Sequence, residues 1–259
     1  MTIGGNPMKK LRTAWTAGAA AVLLAAGLSV LATSAVRASS RRAAQGGRGG
    51  EIAGKVYFKG EAPRLRRIMM DKDPVCASLH SEGVLPEDGR VNTNGTLPNA
   101  FVYVSQGAES SGAAPTEPVT MTQNECEYEP HVLGIMVGQP LRVVSNDPTT
   151  HNIHIMPKAG HDFDVTQQPG SPPVSDKFSK PQIMVPVHCN IHNWMQAYIG
   201  VVTNRYYAVT GNDGSFAIKG VPAGSYTLSV WTATFGTQER EVTVREGEAA
   251  SADFTFGGR

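Results

Sequence analysis

The chain is poor in charge: 23 Lys and Arg stand against 22 Asp and Glu, 17% of 259 residues, for a formal net of +1. With no basic stripe among them, nucleic acid is not an expected partner. Cysteine is scarce as well, at three residues, too few for a scaffold that depends on disulfides in place of a core. After residue 40 no stretch carries a capped apolar period of 3.6, so long helices are not expected. What is plentiful is turn and strand material: 28 Gly and 17 Pro, set among Val, Thr, Tyr and Phe. That mixture predicts short strands joined by tight turns, an all-β fold.

Only one long apolar run exists, from Ala14 to Val36. Lys9, Lys10 and Arg12 precede it and Val36-Arg37-Ala38 closes it, the plan of a secretory signal over residues 1–38. The run also approaches the roughly 20 residues of a membrane span, which leaves an uncleaved anchor over residues 14–36 as the alternative. Arg37, Arg41 and Arg42 on the exported side oppose that alternative. Either way the folded part is placed outside the cytoplasm, periplasmic or tethered. Cleavage would leave 19 basic against 22 acidic residues. Residues 39–50, SSRRAAQGGRGG, read as a flexible tether.

The cysteines are Cys76, Cys126 and Cys189. In an oxidising compartment an even subset tends to pair, and an odd one needs a reason. Cys189 sits in His188-Cys189-Asn190-Ile191-His192-Asn193-Trp194-Met195, with soft and borderline metal donors close together. Cys76 and Cys126 have no such company. The simplest division is a Cys76–Cys126 disulfide and a metal-bound Cys189; the plain alternative is three ordinary buried or free thiols. A copper site of two imidazoles, one thiolate and a weak axial thioether would take three donors from this one loop. The fourth must come from an earlier strand end. Leu141–Asp147 reads as such a strand, and Pro148-Thr149-Thr150-His151-Asn152-Ile153-His154 follows it.

These residues resemble the cupredoxins, above all the amicyanin and plastocyanin branch, over about residues 119–202. The Val137-Gly138-Gln139-Pro140-Leu141 turn, the His151-Asn152 pair and Cys-x2-His-x2-Met at 189–195 carry the likeness. It implies a Greek-key barrel holding one type 1 copper ion on His151, Cys189, His192 and Met195. Asn152 would tie the two ligand segments together beside the sulfur, His154 would only pack, and His192 would be the exit point for electrons. One departure is visible: the branch often has Pro after the loop histidine, and this chain has Asn193, which leaves the rigidity of His192 open. Related chemistries fail on the same residues. A two-copper centre needs a second cysteine near Cys189, and multicopper oxidases need a histidine at position 190, which is Asn. Zinc is the second choice of metal, although a neutral thioether suits it poorly.

Downstream, Asn212-Asp213-Gly214 is a tight-turn signal. Phe216/Ile218 and Tyr226/Leu228/Val230 alternate with period two. This stretch resembles the carboxypeptidase regulatory-like (transthyretin-like) β-sandwich, which implies a structural module and no peptidase activity. Its opening strands match Gly54–Phe58 and Phe101–Val104 instead, far upstream. The expected architecture is therefore a discontinuous sandwich (51–104, including a long loop at 65–98, and 204–257) with a cupredoxin inserted at 115–203. Two consecutive domains are the alternative. The function expected is non-enzymatic: single-electron transfer with periplasmic redox proteins such as a c-type cytochrome or a dehydrogenase. Copper storage, sensing or delivery, or a purely structural module, are the competing readings.

Overall fold

The computed structural model describes residues 49–109 and 111–257. The signal or anchor and most of the tether lie outside the described residues. Among those described, no helix is long and apolar enough to cross a membrane.

The chain opens with β1 (Gly50–Lys59), a short helix α1 (Pro74–Leu79) and β2 (Phe101–Gln106). The middle supplies β3 (Val119–Asn124), β4 (Glu127–Glu129), β5 (Val132–Met136), β6 (Pro140–Ser145) and β7 (His151–Ile155). It continues with β8 (Phe163–Gln167), β9 (Val174–Lys177), β10 (Gln182–His188) and β11 (Gln196–Val202). The last part is β12 (Tyr207–Val209), β13 (Ser215–Val221), β14 (Gly224–Thr232), β15 (Gly236–Val244), β16 (Ala249–Ser251) and β17 (Phe254–Gly257). The fold is all-β, as the composition predicts.

Among the described residues four sheets form, and their membership divides the chain. Strands β3 to β11 form two of them, ordered β4-β3-β6-β9 and β5-β11-β10-β7-β8. The other two draw on both ends of the chain. β1 lies between β13 and β16 and also pairs with β17, and the last sheet runs β12-β2-β14-β15. So Gly54 faces Phe216, and Val102 faces Val230 on one side and Ala208 on the other.

Alternation explains both cores. Tyr226, Leu228 and Val230 turn inward to meet Ile52, Val56, Val102, Val104, Phe216 and Ile218. The middle lobe buries Met121, Ile135, Leu141, Val143, Ile153, Val187, Ile199 and Val201 around its own centre. A small third cluster of Phe101, Val132, Met136 and Val202 joins the two. There Gly134 and Gly200 face each other across parallel strands, and the aromatic rings of Phe101 and Tyr207 lie where their side chains would be. A Cβ on Gly200 would fall about 2.5 Å from the Phe101 ring, closer than any real contact.

The 65–98 stretch is more ordered than the long loop expected. Asp73 caps α1, accepting from the N–H groups of Val75 and Cys76 through its carboxylate, with Pro74 at the first helical position. Cys76 is bridged to Cys126, 50 residues on. A bridge from Tyr57 to Thr96 and another from Ile68 to Val84 fix the remainder.

Candidate metal centre

Strands β10 and β11 are antiparallel, with His188 opposite Gln196, so residues 189–195 must turn back within one strand spacing. The Cys189 N–H donates to the Met195 carbonyl at 3.2 Å, and the Met195 N–H to the His192 carbonyl at 3.0 Å. His151 is the first residue of β7, which is held beside β10 by the Val187–Ile155 and His188–His154 pairs. That register turns His151 into the lobe, toward the loop. Cys189, His192, His151 and Met195 are all buried, and ring nitrogens of both histidines and the Cys189 sulfur lie within 4.8 Å of one another.

Two backbone N–H groups point at the sulfur, those of His192 and Asn152, each at 3.3 Å. Such donors suit a sulfur that carries negative charge. Asn152 also accepts from the Asn190 N–H at 3.2 Å and donates to Asp164 at 2.7 Å. It therefore touches both ligand-bearing segments and fixes the N–H that faces the thiol. Met195 is buried beside Cys189 in the lobe core. His154 stands apart, part-exposed, its Nδ1 near the Asn190 side chain at 3.1 Å.

The imidazoles show what the pocket suits. His151 Nε2 lies 2.7 Å from Asp147 and His192 Nε2 lies 3.2 Å from Asp73. A carboxylate only accepts, so both Nε2 atoms carry the proton and both Nδ1 atoms present lone pairs. Those Nδ1 atoms are 2.9 Å apart, and the Cys189 sulfur is 3.9 Å from the His192 one. Burial holds the His151 pKa below its ordinary value despite the Asp147 contact. Two lone pairs and a thiol facing one buried point fit a cation with a taste for nitrogen and sulfur.

The carboxylates were not singled out by sequence reasoning. Asp147 is four residues before His151, in the turn that leads into β7, and accepts from the Glu125 and Cys126 N–H groups at 2.7 and 2.8 Å. Asp73 accepts from Val75 and Cys76 at 2.8 and 3.1 Å and from the Thr149 hydroxyl at 2.9 Å. Burial works against ionisation of Asp73, and these bonds with that to His192 outweigh it, holding its pKa below the ordinary carboxylate value. Asp73-Pro74 is legible as a helix start, but nothing local links it to residue 192. Two further clusters, Asp73 with Cys76 and His192 and Cys126 with Asp147 and His151, each include a half-cystine whose sulfur is in the bridge.

The exit point expected at His192 is corrected by its surroundings. Such a role calls for an open imidazole edge, yet His192 is 2% exposed. Asp73 takes its outer nitrogen, and Trp194 lies against the ring with centroids 4.9 Å apart. Trp194 is itself half-buried and, with Met195, lines a cleft of about 270 Å³.

The carboxypeptidase regulatory-like domain model matches residues 196–257. Among solved structures, the chain is similar to a Cu-containing nitrite reductase (NirK) from Thermus scotoductus SA-01, at 24% identity and a TM-score of 0.31, over 38% of this chain and 25% of that one. It is also similar to a purple cupredoxin from Nitrosopumilus maritimus, at 18% identity and TM-score 0.28, over 32% and 97% of the two chains. An amicyanin mutant in its oxidized state gives 16% identity and TM-score 0.30, over 39% and 97%. The chain thus spans a quarter of the nitrite reductase's length. No curated protein matches.

Proposed function

We propose that this chain is an exported, non-enzymatic protein that holds one type 1 copper ion and passes single electrons between periplasmic redox partners. The observation that carries the reading is the facing pair of Nδ1 lone pairs beside the Cys189 sulfur, with both outer nitrogens already committed to carboxylates. His151, Cys189 and His192 would hold the ion, with Met195 as a weak axial donor, and the ion would supply a one-electron couple. The chain's own part is to keep the donors still and dry. The Asn152 and His192 N–H groups spread charge away from the sulfur, Asp147 and Asp73 fix the ring orientations, and the β10–β11 turn holds the loop closed.

The covered His192 edge directs the proposed electron route elsewhere. Trp194, tilted against His192 and lining the cleft, offers a conjugated side chain on the way from the centre to solvent. The same burial favours a second reading, in which copper is held for storage or delivery and does not turn over. Loading the full exported protein with Cu(II) separates the two. An intense thiolate-to-copper visible band, bleached by ascorbate, restored by oxidant and absent from Cys189→Ser, supports electron transfer. Stoichiometric copper without that band sinks it and leaves storage.

A further inference from the structure

Hydrogen bonds and the disulfide link the outer nitrogens of the two histidines in an arc around the pocket. From His192 it runs to Asp73, through the N–H of Cys76 to the disulfide, through the N–H of Cys126 to Asp147, and so to His151. Each half-cystine thus presents its own N–H to the carboxylate that accepts from one imidazole. Trp194 adds a cross-tie, its Nε1 donating to the Cys126 carbonyl at 3.2 Å. Thr149 adds another, linking Asp73 to the residues just before His151.

The arc answers a weakness in the ligand loop. Asn193, exposed, follows His192 and does not restrict the backbone as a proline would. Inside the loop the ring of His192 meets Trp194, tilted against it with centroids 4.9 Å apart, and the Cys189 sulfur, 3.9 Å from its Nδ1. Its outer nitrogen is held from a segment 119 residues away in sequence. Both half-cystines are fully buried, so the bridge is a fixed clasp, shielded from exchange with solvent thiols.

We propose that Asp73, anchored by the Cys76–Cys126 disulfide, is the positioning residue for His192. It fixes the tautomer that aims Nδ1 inward and supplies from outside the lobe the rigidity its own loop lacks. The proposal rests on the copper reading for its purpose, but the ring orientation is testable without metal.

Asp73 also caps α1, so the test must separate the two roles. Asp73→Ser retains a capping hydroxyl but is too short to hold His192; Asp73→Asn retains the cap through its one oxygen and turns an NH2 donor, not an acceptor, toward His192 Nε2. Histidine ¹H–¹⁵N spectra of the full exported, metal-free protein read the tautomer directly. Wild type should show His192 protonated at Nε2 alone, Asp73→Asn should shift the proton to Nδ1, and Asp73→Ser and the Cys76→Ala/Cys126→Ala pair should average between tautomers. Competition with a chelator should show copper bound 10- to 100-fold more weakly in all three variants, the usual cost of losing such a partner. A wild-type tautomer or wild-type affinity in Asp73→Ser overturns the proposal. Wild type that binds copper without the thiolate band would overturn the electron-transfer reading instead, and the tautomer spectra would still decide the role of Asp73.

Discussion

Removing the disulfide is the perturbation whose size follows most directly from the fold. The bridge spans 50 residues, and closing a loop of that length removes about 14 cal/mol/K from the unfolded chain, or about 4 kcal/mol at 25 °C. Both half-cystines are fully buried, so Cys76→Ala/Cys126→Ala adds the loss of sulfur packing, while a single substitution would leave a second free thiol besides Cys189. The assay is urea unfolding of exported, metal-free protein without reductant. With a slope near 2.5 kcal/mol/M for a body of this size, the midpoint should fall by about 1.6 M. A loss below about 1 kcal/mol would refute the reasoning, since it would mean that the unfolded chain gains little freedom when the bridge is opened.

Met195→Leu should retain the visible band and raise the reduction potential by favouring Cu(I), as expected of a weak axial donor; loss of copper would make Met195 a primary ligand. Trp194→Leu should retain the band and slow electron exchange with a soluble redox mediator, and unchanged exchange would remove Trp194 from the route. Gly200→Ala pushes a methyl group into the Phe101 ring and should cost about 1–3 kcal/mol in the same urea assay, whereas a cost near zero would mean that the lobes separate freely. Asp88 is opposed by burial, but the His131 and Tyr198 bonds outweigh it and depress its pKa. A carboxylate depressed in the folded state contributes stability above its unfolded pKa, near 3.8, and loses it as the pH falls through the folded value. Asp88→Asn should therefore flatten the acid limb of the stability curve, and an unchanged limb would contradict this assignment.

Period-two patterning and turn chemistry made the strands legible, since Tyr226, Leu228 and Val230 alternate inward. Gly214 takes the positive φ of its turn, +73°. Cys189, His192 and Met195 were legible as a group because donors of three kinds crowd into one short loop, and His151 through the likeness of the His151-Asn152 segment to the cupredoxins. Asp73 was not, because its contact with His192 depends on a helix cap, a disulfide and the docking of one segment on another lobe. The burial of His192 was missed for the same reason. A loop motif describes its own residues and is silent about what the rest of the chain lays over them. Helix α1 escaped notice because six residues are too few to display a period.

The two ends of the middle lobe leave the molecule side by side. Tyr207 on β12 pairs with Tyr103 on β2, and the Val104 N–H donates to the Tyr206 carbonyl at 2.9 Å. The lobe is in this sense portable: a short turn joining β2 directly to β12 would leave both outer sheets with every strand they now contain. Lifted out and expressed alone, the lobe would take its four donor residues with it and leave Asp73 behind. Cys76 would stay behind too, so the excised cassette would lose together the cover over the His192 edge and the clasp that holds that cover in place.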